Sequence, residues 1–156
     1  MPDLFPKDDE INLEGNNNIE NNLNEPLSFE GSYLFDFEKG EFVKNADGTI
    51  AKCDFLQAYI QWCHKALKTP RYTKLAYSDV YGSEFDELIG SAISKEAKEL
   101  EIARITKETL MVHPMTKDVR NFVFNWSKNQ DSIYYEYEII TVDYKSLKLD
   151  NSVKVG

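Results

Sequence analysis

The chain has 156 residues, 42% of them hydrophobic and 13% aromatic, with a formal net charge of −9. That length suits one domain, and the apolar content is ample for a packed core. There is no basic stripe for nucleic acid and no run near the ~18 apolar residues of a membrane span, so neither partner is expected.

The charge is uneven. Residues 1–31 carry eight acids, one lysine and seven asparagines, while the other 125 residues carry 19 acids and 17 bases. Such a segment buries too little to offset its ordering entropy, so 1–31 is expected to be a disordered acidic arm and 32–156 a single domain. The first residues, Met1-Pro2-Asp3-Leu4-Phe5, lack the basic start and apolar stretch of a secretion signal, which predicts synthesis in a cytosol. Tyr33, Phe35 and Phe37 alternate with Leu34 and Asp36, the period of a strand. Glu38-Lys39-Gly40 reads as a turn, Glu41 to Lys44 as a second strand, and Asp47-Gly48 as a tight hairpin, giving a short meander.

Residues 54–67 have helical spacing. Leu56, Ile60, Cys63 and Leu67 form an apolar stripe flanked by Phe55, Tyr59, Trp62 and Ala66, with Gln57, Gln61, His64 and Lys68 opposite. Thr69-Pro70 ends the helix. Cys53 and Cys63, ten apart in what reads as one helix, cannot bridge each other. Tyr72 to Tyr77 suggests another strand. In Tyr81-Gly82-Ser83-Glu84-Phe85-Asp86-Glu87-Leu88-Ile89-Gly90, Gly82 permits a positive φ. Ser83 is expected to cap a short helix, with Asp86 as a short-armed capping-box partner. The acids suit a helix N-terminus, and Gly90 supplies the stop.

A second helix is predicted from Lys95 to Val112, with Ser94 as its cap and Pro114 closing it. Its main apolar face is Ile93, Ala97, Leu100 and Met111; Ile102, Ile105 and Val112 form a lesser one. Arg104 falls in the middle of the main face, either paired with Glu101, Glu108 or Glu84 or snorkelling past it. The last third alternates as strands: Phe122, Phe124, Trp126, then Ile133, Tyr135, Tyr137, Ile139, then Leu147, Leu149, Val153, Val155. The fold class is therefore α+β, two main helices packed on a largely antiparallel sheet.

The order of these pieces carries a resemblance. The Phe35-Asp36-Phe37-Glu38-Lys39-Gly40 strand and turn precede the Asp-Gly hairpin and an aromatic helix ending in Leu67-Lys68-Thr69-Pro70-Arg71-Tyr72. Tyr81-Gly82-Ser83-Glu84 and Leu88-Ile89-Gly90 then stand before the long helix. Over roughly residues 33–143 this resembles the small wedge component, or sheath initiator, of contractile-tail baseplates, in the branch found in Gram-positive prophages and tail-like bacteriocins. One departure is that His113-Pro114-Met115-Thr116 keeps a proline but lacks the arginine usual there. The resemblance implies a non-enzymatic part of a virion or tail-like particle, assembled in the host cytoplasm and present in several copies in a ring. Its implied partners are other baseplate wedge proteins, the tail sheath subunit, and tail tube or hub proteins. It also implies that the first sheath ring is templated by strand addition, in which main-chain bonds give affinity. Tyr33, Phe35 and Phe37, with Leu147 and Leu149, mark the two extended segments expected to offer an edge.

Other chemistry has bland explanations. Asp79, Glu84, Asp86 and Glu87 would suit a lysozyme-like peptidoglycan hydrolase only if two carboxyls faced each other across a bond; capping and surface roles explain each of them. His64 reads as solvated, and His113 as a helix-terminus histidine favoured by the dipole when charged. Two histidines and two cysteines have no metal-ligand spacing, and no glycine-rich phosphate loop is present. No catalytic residue, cofactor or metal is expected. With no heptad seam, the isolated protein is expected to be a monomer.

Overall fold

The computed structural model describes residues 31–73 and 75–156; of the predicted acidic arm, all but Gly31 lies outside the described residues. The meander is present but its strands are short. β1 (Phe35–Asp36) pairs antiparallel with β2 (Glu41–Phe42), and isolated bridges join Tyr33 to Lys52 and Lys44 to Ile50. Asp36 Oδ1 accepts the backbone N–H groups of Glu38 and Lys39 and so shapes the intervening turn. A ribbon this small has little face to bury, which limits its ladder.

Helix α1 (Phe55–Lys68) starts at a capping box in which Asp54 accepts from Gln57 N at 2.8 Å and Gln57 Oε1 accepts from Asp54 N at 3.3 Å. Cys53 therefore precedes the helix rather than lying in it; it and Cys63 are buried free thiols. Ala58, Tyr59, Cys63, Ala66 and Leu67 are its buried residues. The strand expected at Tyr72 to Tyr77 does not form. Its described residues are turns and bends, and Tyr72 has φ +64°, a left-handed conformation that interrupts any strand.

After a 3-10 turn (Phe85–Leu88) comes α2 (Lys95–Met111), where Ser94 Oγ accepts from Ala97 N at 3.2 Å. The helix buries the stripe read above as the lesser one, joined by Leu110. Ile102, Ile105, Thr106, Thr109 and Leu110 are buried, whereas Leu100 is 74% exposed and Ile93 and Met111 are exposed too. The reason lies in the threonines. Thr106 Oγ1 shares a 2.8 Å hydrogen bond with Tyr135 Oη, and Thr109 Oγ1 donates to Gly82 O, so both hydroxyls are buried without an unmet partner.

The main sheet is antiparallel in the order β3 (Thr116–Trp126), β4 (Ser132–Thr141), β5 (Ser146–Lys154). Ile133, Tyr135, Tyr137 and Ile139 of central β4 are buried and belong to one cluster with Tyr59, Cys63, Leu67, Ile102, Ile105 and Leu110 of the helices. The architecture is the expected α+β, both main helices sharing the core of an antiparallel sheet.

Candidate assembly edge

The Tyr81 to Gly90 segment is a rivet between elements. Gly82 has φ +106°, and a Cβ there would lie 2.7 Å from Thr69 O, so a side chain is excluded twice over. Its carbonyl accepts from Arg71 Nε and Thr109 Oγ1. Ser83 is not the cap. It is buried and donates through Oγ to Leu67 O at 2.7 Å, while its backbone exchanges bonds with Thr69 and Arg71. Glu84 occupies the cap position of the 3-10 turn, without a side-chain capping bond. Leu88 is buried, Ile89 is 51% exposed, and Gly90, at φ +69°, donates its N–H to Val155 O. Tyr81 packs against Trp62 and Tyr77, and burial pushes its phenol up to about 12.

Two arginines face this segment. Arg71, which the sequence reading placed in a motif without giving it a role, has a side chain only 7% exposed and meets Glu84 at 3.2 Å and Glu108 at 2.8 Å. Arg104 is half exposed yet paired, with Glu101 at 2.5 Å, Glu108 at 2.6 Å and Glu84 at 3.9 Å. Hydrogen bonds from Arg104 hold the Glu101 carboxyl below its ordinary range, and those from Arg71 do the same for Glu108. Glu84 thus sits among guanidinium groups rather than in the apolar pocket of a glycosidase acid. The histidines also depart from expectation. His64 is half-buried near Phe37, not solvated, and burial lowers its pKa. His113 packs 4.9 Å from the Tyr59 ring and 4.5 Å from Trp62, and its Nδ1 accepts from Met115 N. Burial lowers its pKa as well, so the neutral ring is favoured over the charged form suggested by the helix dipole.

The two candidate edges are not equivalent. The Tyr33–Phe37 segment is occupied on both sides. Leu34 N donates to Ala51 O, and on the other side the Gln61 amide imitates a neighbouring peptide, accepting from Phe35 N and donating to Tyr33 O. Phe35 is tied further by edge-on contacts with Phe37 and Phe42. Gln61 was visible only as part of a polar stripe.

β5 is different. It pairs with β4 through nine consecutive partners, Ser132–Lys154 to Ile140–Ser146, with no register shift. Thr141 N donates to Lys145 O at one end and Val155 N to Asp131 O at the other, so the odd-numbered residues bond to β4. By strict alternation, the N–H and C=O groups of Lys148, Asp150 and Ser152 point away from β4. Leu147 and Leu149 turn their side chains toward the helices and are half-buried. The opposite edge, β3, has register shifts at Thr116/Asp118 and Arg120/Val123, and Asn121 at φ +56°. Such irregularities are how natural sheets block further pairing. The regular edge is β5.

Residues 31–144 match the contractile injection system sheath initiator. The chain belongs to the sheath-initiator family. This makes it a structural component of a contractile injection system, with a place in the tail or baseplate and tail sheath components as its partners. The match ends before β5, so the regular edge lies beyond the matched residues. No curated protein matches the chain. Among the described residues no helix is long and apolar enough to cross a membrane.

Proposed function

We propose that this sheath initiator docks on other wedge proteins of the baseplate, stands in several copies in a ring, and starts the first sheath ring by accepting a strand from a sheath subunit. The observation that carries the reading is the unshifted β5 edge on a chain of this family. Main-chain pairing along that edge would provide affinity, and alternate side chains the register.

Removing residues 146–156 is not a clean test. Asn151, Val153 and Val155 are buried, and Asn151 Nδ2 donates to Tyr135 Oη, so the truncation strips the core. Ser152→Pro is the better variant. Its N–H points to the free edge, so proline removes a donor needed by an incoming strand but no ladder bond to β4. The expected outcome is a folded protein that enters baseplates and supports no sheath polymerisation. Full-length, contracting sheaths on particles built with Ser152→Pro would overturn the proposal.

A further inference from the structure

The meander ahead of α1 stands outside the core. No residue from 31 to 52 is buried, and none belongs to the core cluster or to the partly buried hydrophobics packed against it. The segment bonds to itself instead. Cys53 N donates to Ser32 O, Leu34 N to Ala51 O, Val43 N to Leu34 O and Ala51 N to Val43 O, so its two ends close on each other before α1 begins.

This strap meets α1 along the helix's polar stripe. Gln61 Oε1 accepts from Phe35 N at 2.5 Å, and Gln61 Nε2 donates to Tyr33 O at 3.2 Å and to Cys53 Sγ at 3.1 Å. Further along the stripe, the His64 ring lies 6.1 Å from that of Phe37, and Lys68 Nζ stands 5.5 Å over the Phe37 ring. Such contacts contribute modestly one by one. Opening the strap therefore costs far less than unfolding the core, whose buried residues it does not share.

We infer that residues 31–53 form a strap that swings from α1 as one piece while the core stays folded, with Gln61 as its latch. Closed, strap and helix block each other: Gln61 takes Tyr33 O and Phe35 N, and the strap engages Gln61, His64 and Lys68. Open, both surfaces are free. The inference stands apart from the β5 edge and does not depend on it.

The two cysteines supply the test. Cys53 lies under the latch, its Sγ donating to Ser32 O and accepting from Gln61, whereas Cys63 is 0% exposed in the core cluster. The full chain is treated with iodoacetamide at several urea concentrations below its unfolding transition, and each thiol is followed by peptide mapping. Cys53 is expected to react at a rate that hardly changes with urea, because strap opening exposes little surface. Cys63 reacts only through global unfolding, so its rate should climb steeply with urea.

Three variants separate strap opening from other routes to Cys53. Gln61→Ala should speed Cys53 about tenfold, for the loss of two ordinary hydrogen bonds. Because Gln61 also covers the thiol directly, Phe37→Ala is the stricter variant. Its ring contacts Phe35, His64 and Lys68, so it speeds Cys53 several-fold only if the strap moves as a unit. Ile102→Val, in the core, should speed Cys63 several-fold and leave Cys53 unchanged, since the open strap leaves the core intact. The same steep urea dependence for both thiols, a Cys53 rate unmoved by Phe37→Ala, or a Cys53 rate raised by Ile102→Val as much as that of Cys63 would each overturn the inference.

Discussion

Tyr135 and Tyr137 stand two residues apart on β4, equally buried, and their hydroxyls have opposite fates. Tyr135 Oη shares a hydrogen bond with Thr106 and accepts one from Asn151. Tyr137 Oη has no hydrogen-bond partner among the described residues, though the side chain is 1% exposed. Burial raises the pKa of both phenols, so each is a neutral hydroxyl at any ordinary pH. The cost of an unmet buried hydroxyl exceeds the gain of an average hydrogen bond. Tyr137→Phe should therefore leave the melting temperature unchanged or raise it. Tyr135→Phe strands the Thr106 hydroxyl and the Asn151 amide in the core and should cost about 1–3 kcal/mol. Thermal denaturation of the two variants side by side checks this, and a larger loss for Tyr137→Phe would contradict it.

At the level of elements, the segment from Arg71 to Gly90 is held by α2 more than by its own short 3-10 turn. Arg71 gathers Glu84, Glu108 and the Gly82 carbonyl around a nearly buried guanidinium. Arg104 makes its pairs at half exposure, where solvent screens them. Exposed pairs contribute little, whereas a sheltered guanidinium leaves several acceptors unmet when removed. Arg71→Ala should cost about 1–3 kcal/mol and loosen the Gly82 turn, while Arg104→Ala should cost under about 1 kcal/mol. Urea denaturation measures the difference. Similar losses for the two variants would show that the exposed network, not the sheltered arginine, holds the turn.

For the whole molecule, acidification should act in two stages. His64 and His113 have pKa values lowered by burial from the ordinary 6.5, so the unfolded chain takes up these protons first. Their neutral packing contributes fully above about pH 6.5 and is lost as pH falls below it. Glu101 and Glu108 have pKa values lowered from 4.5 by the arginines, so their contribution holds above about pH 4.5 and is lost as pH falls through their folded values. Denaturation midpoints should decline from pH 7.5 to 5.5, then fall again below 4.5. The double variant His64→Gln/His113→Gln should lack the first decline and keep the second. A midpoint that rises on acidification to pH 5.5 would refute the burial argument.

Much of this molecule was legible in the chain because the determining interactions are local. Asp-Gly and Glu-Lys-Gly turns, the Ser94 cap, the proline stops and the period-2 aromatics of β3 and β4 involve neighbours within a few residues. The positive φ of Gly82 was legible for the same reason. Tertiary structure decided the rest. Which face of α2 is buried depended on partners for its threonine hydroxyls, the Tyr135 hydroxyl and the Gly82 carbonyl, supplied from distant segments, so the stripe read as the main one was the wrong one. Ser83 reads as a cap until the Leu67 carbonyl arrives from another helix. Gln61, on a polar stripe, acquires its role only when the Tyr33–Phe35 backbone lies against it. The choice between two extended segments as the free edge followed from what each lies beside. A strand's sequence sets its alternation, but whether its outer hydrogen bonds are already taken is settled by the fold around it.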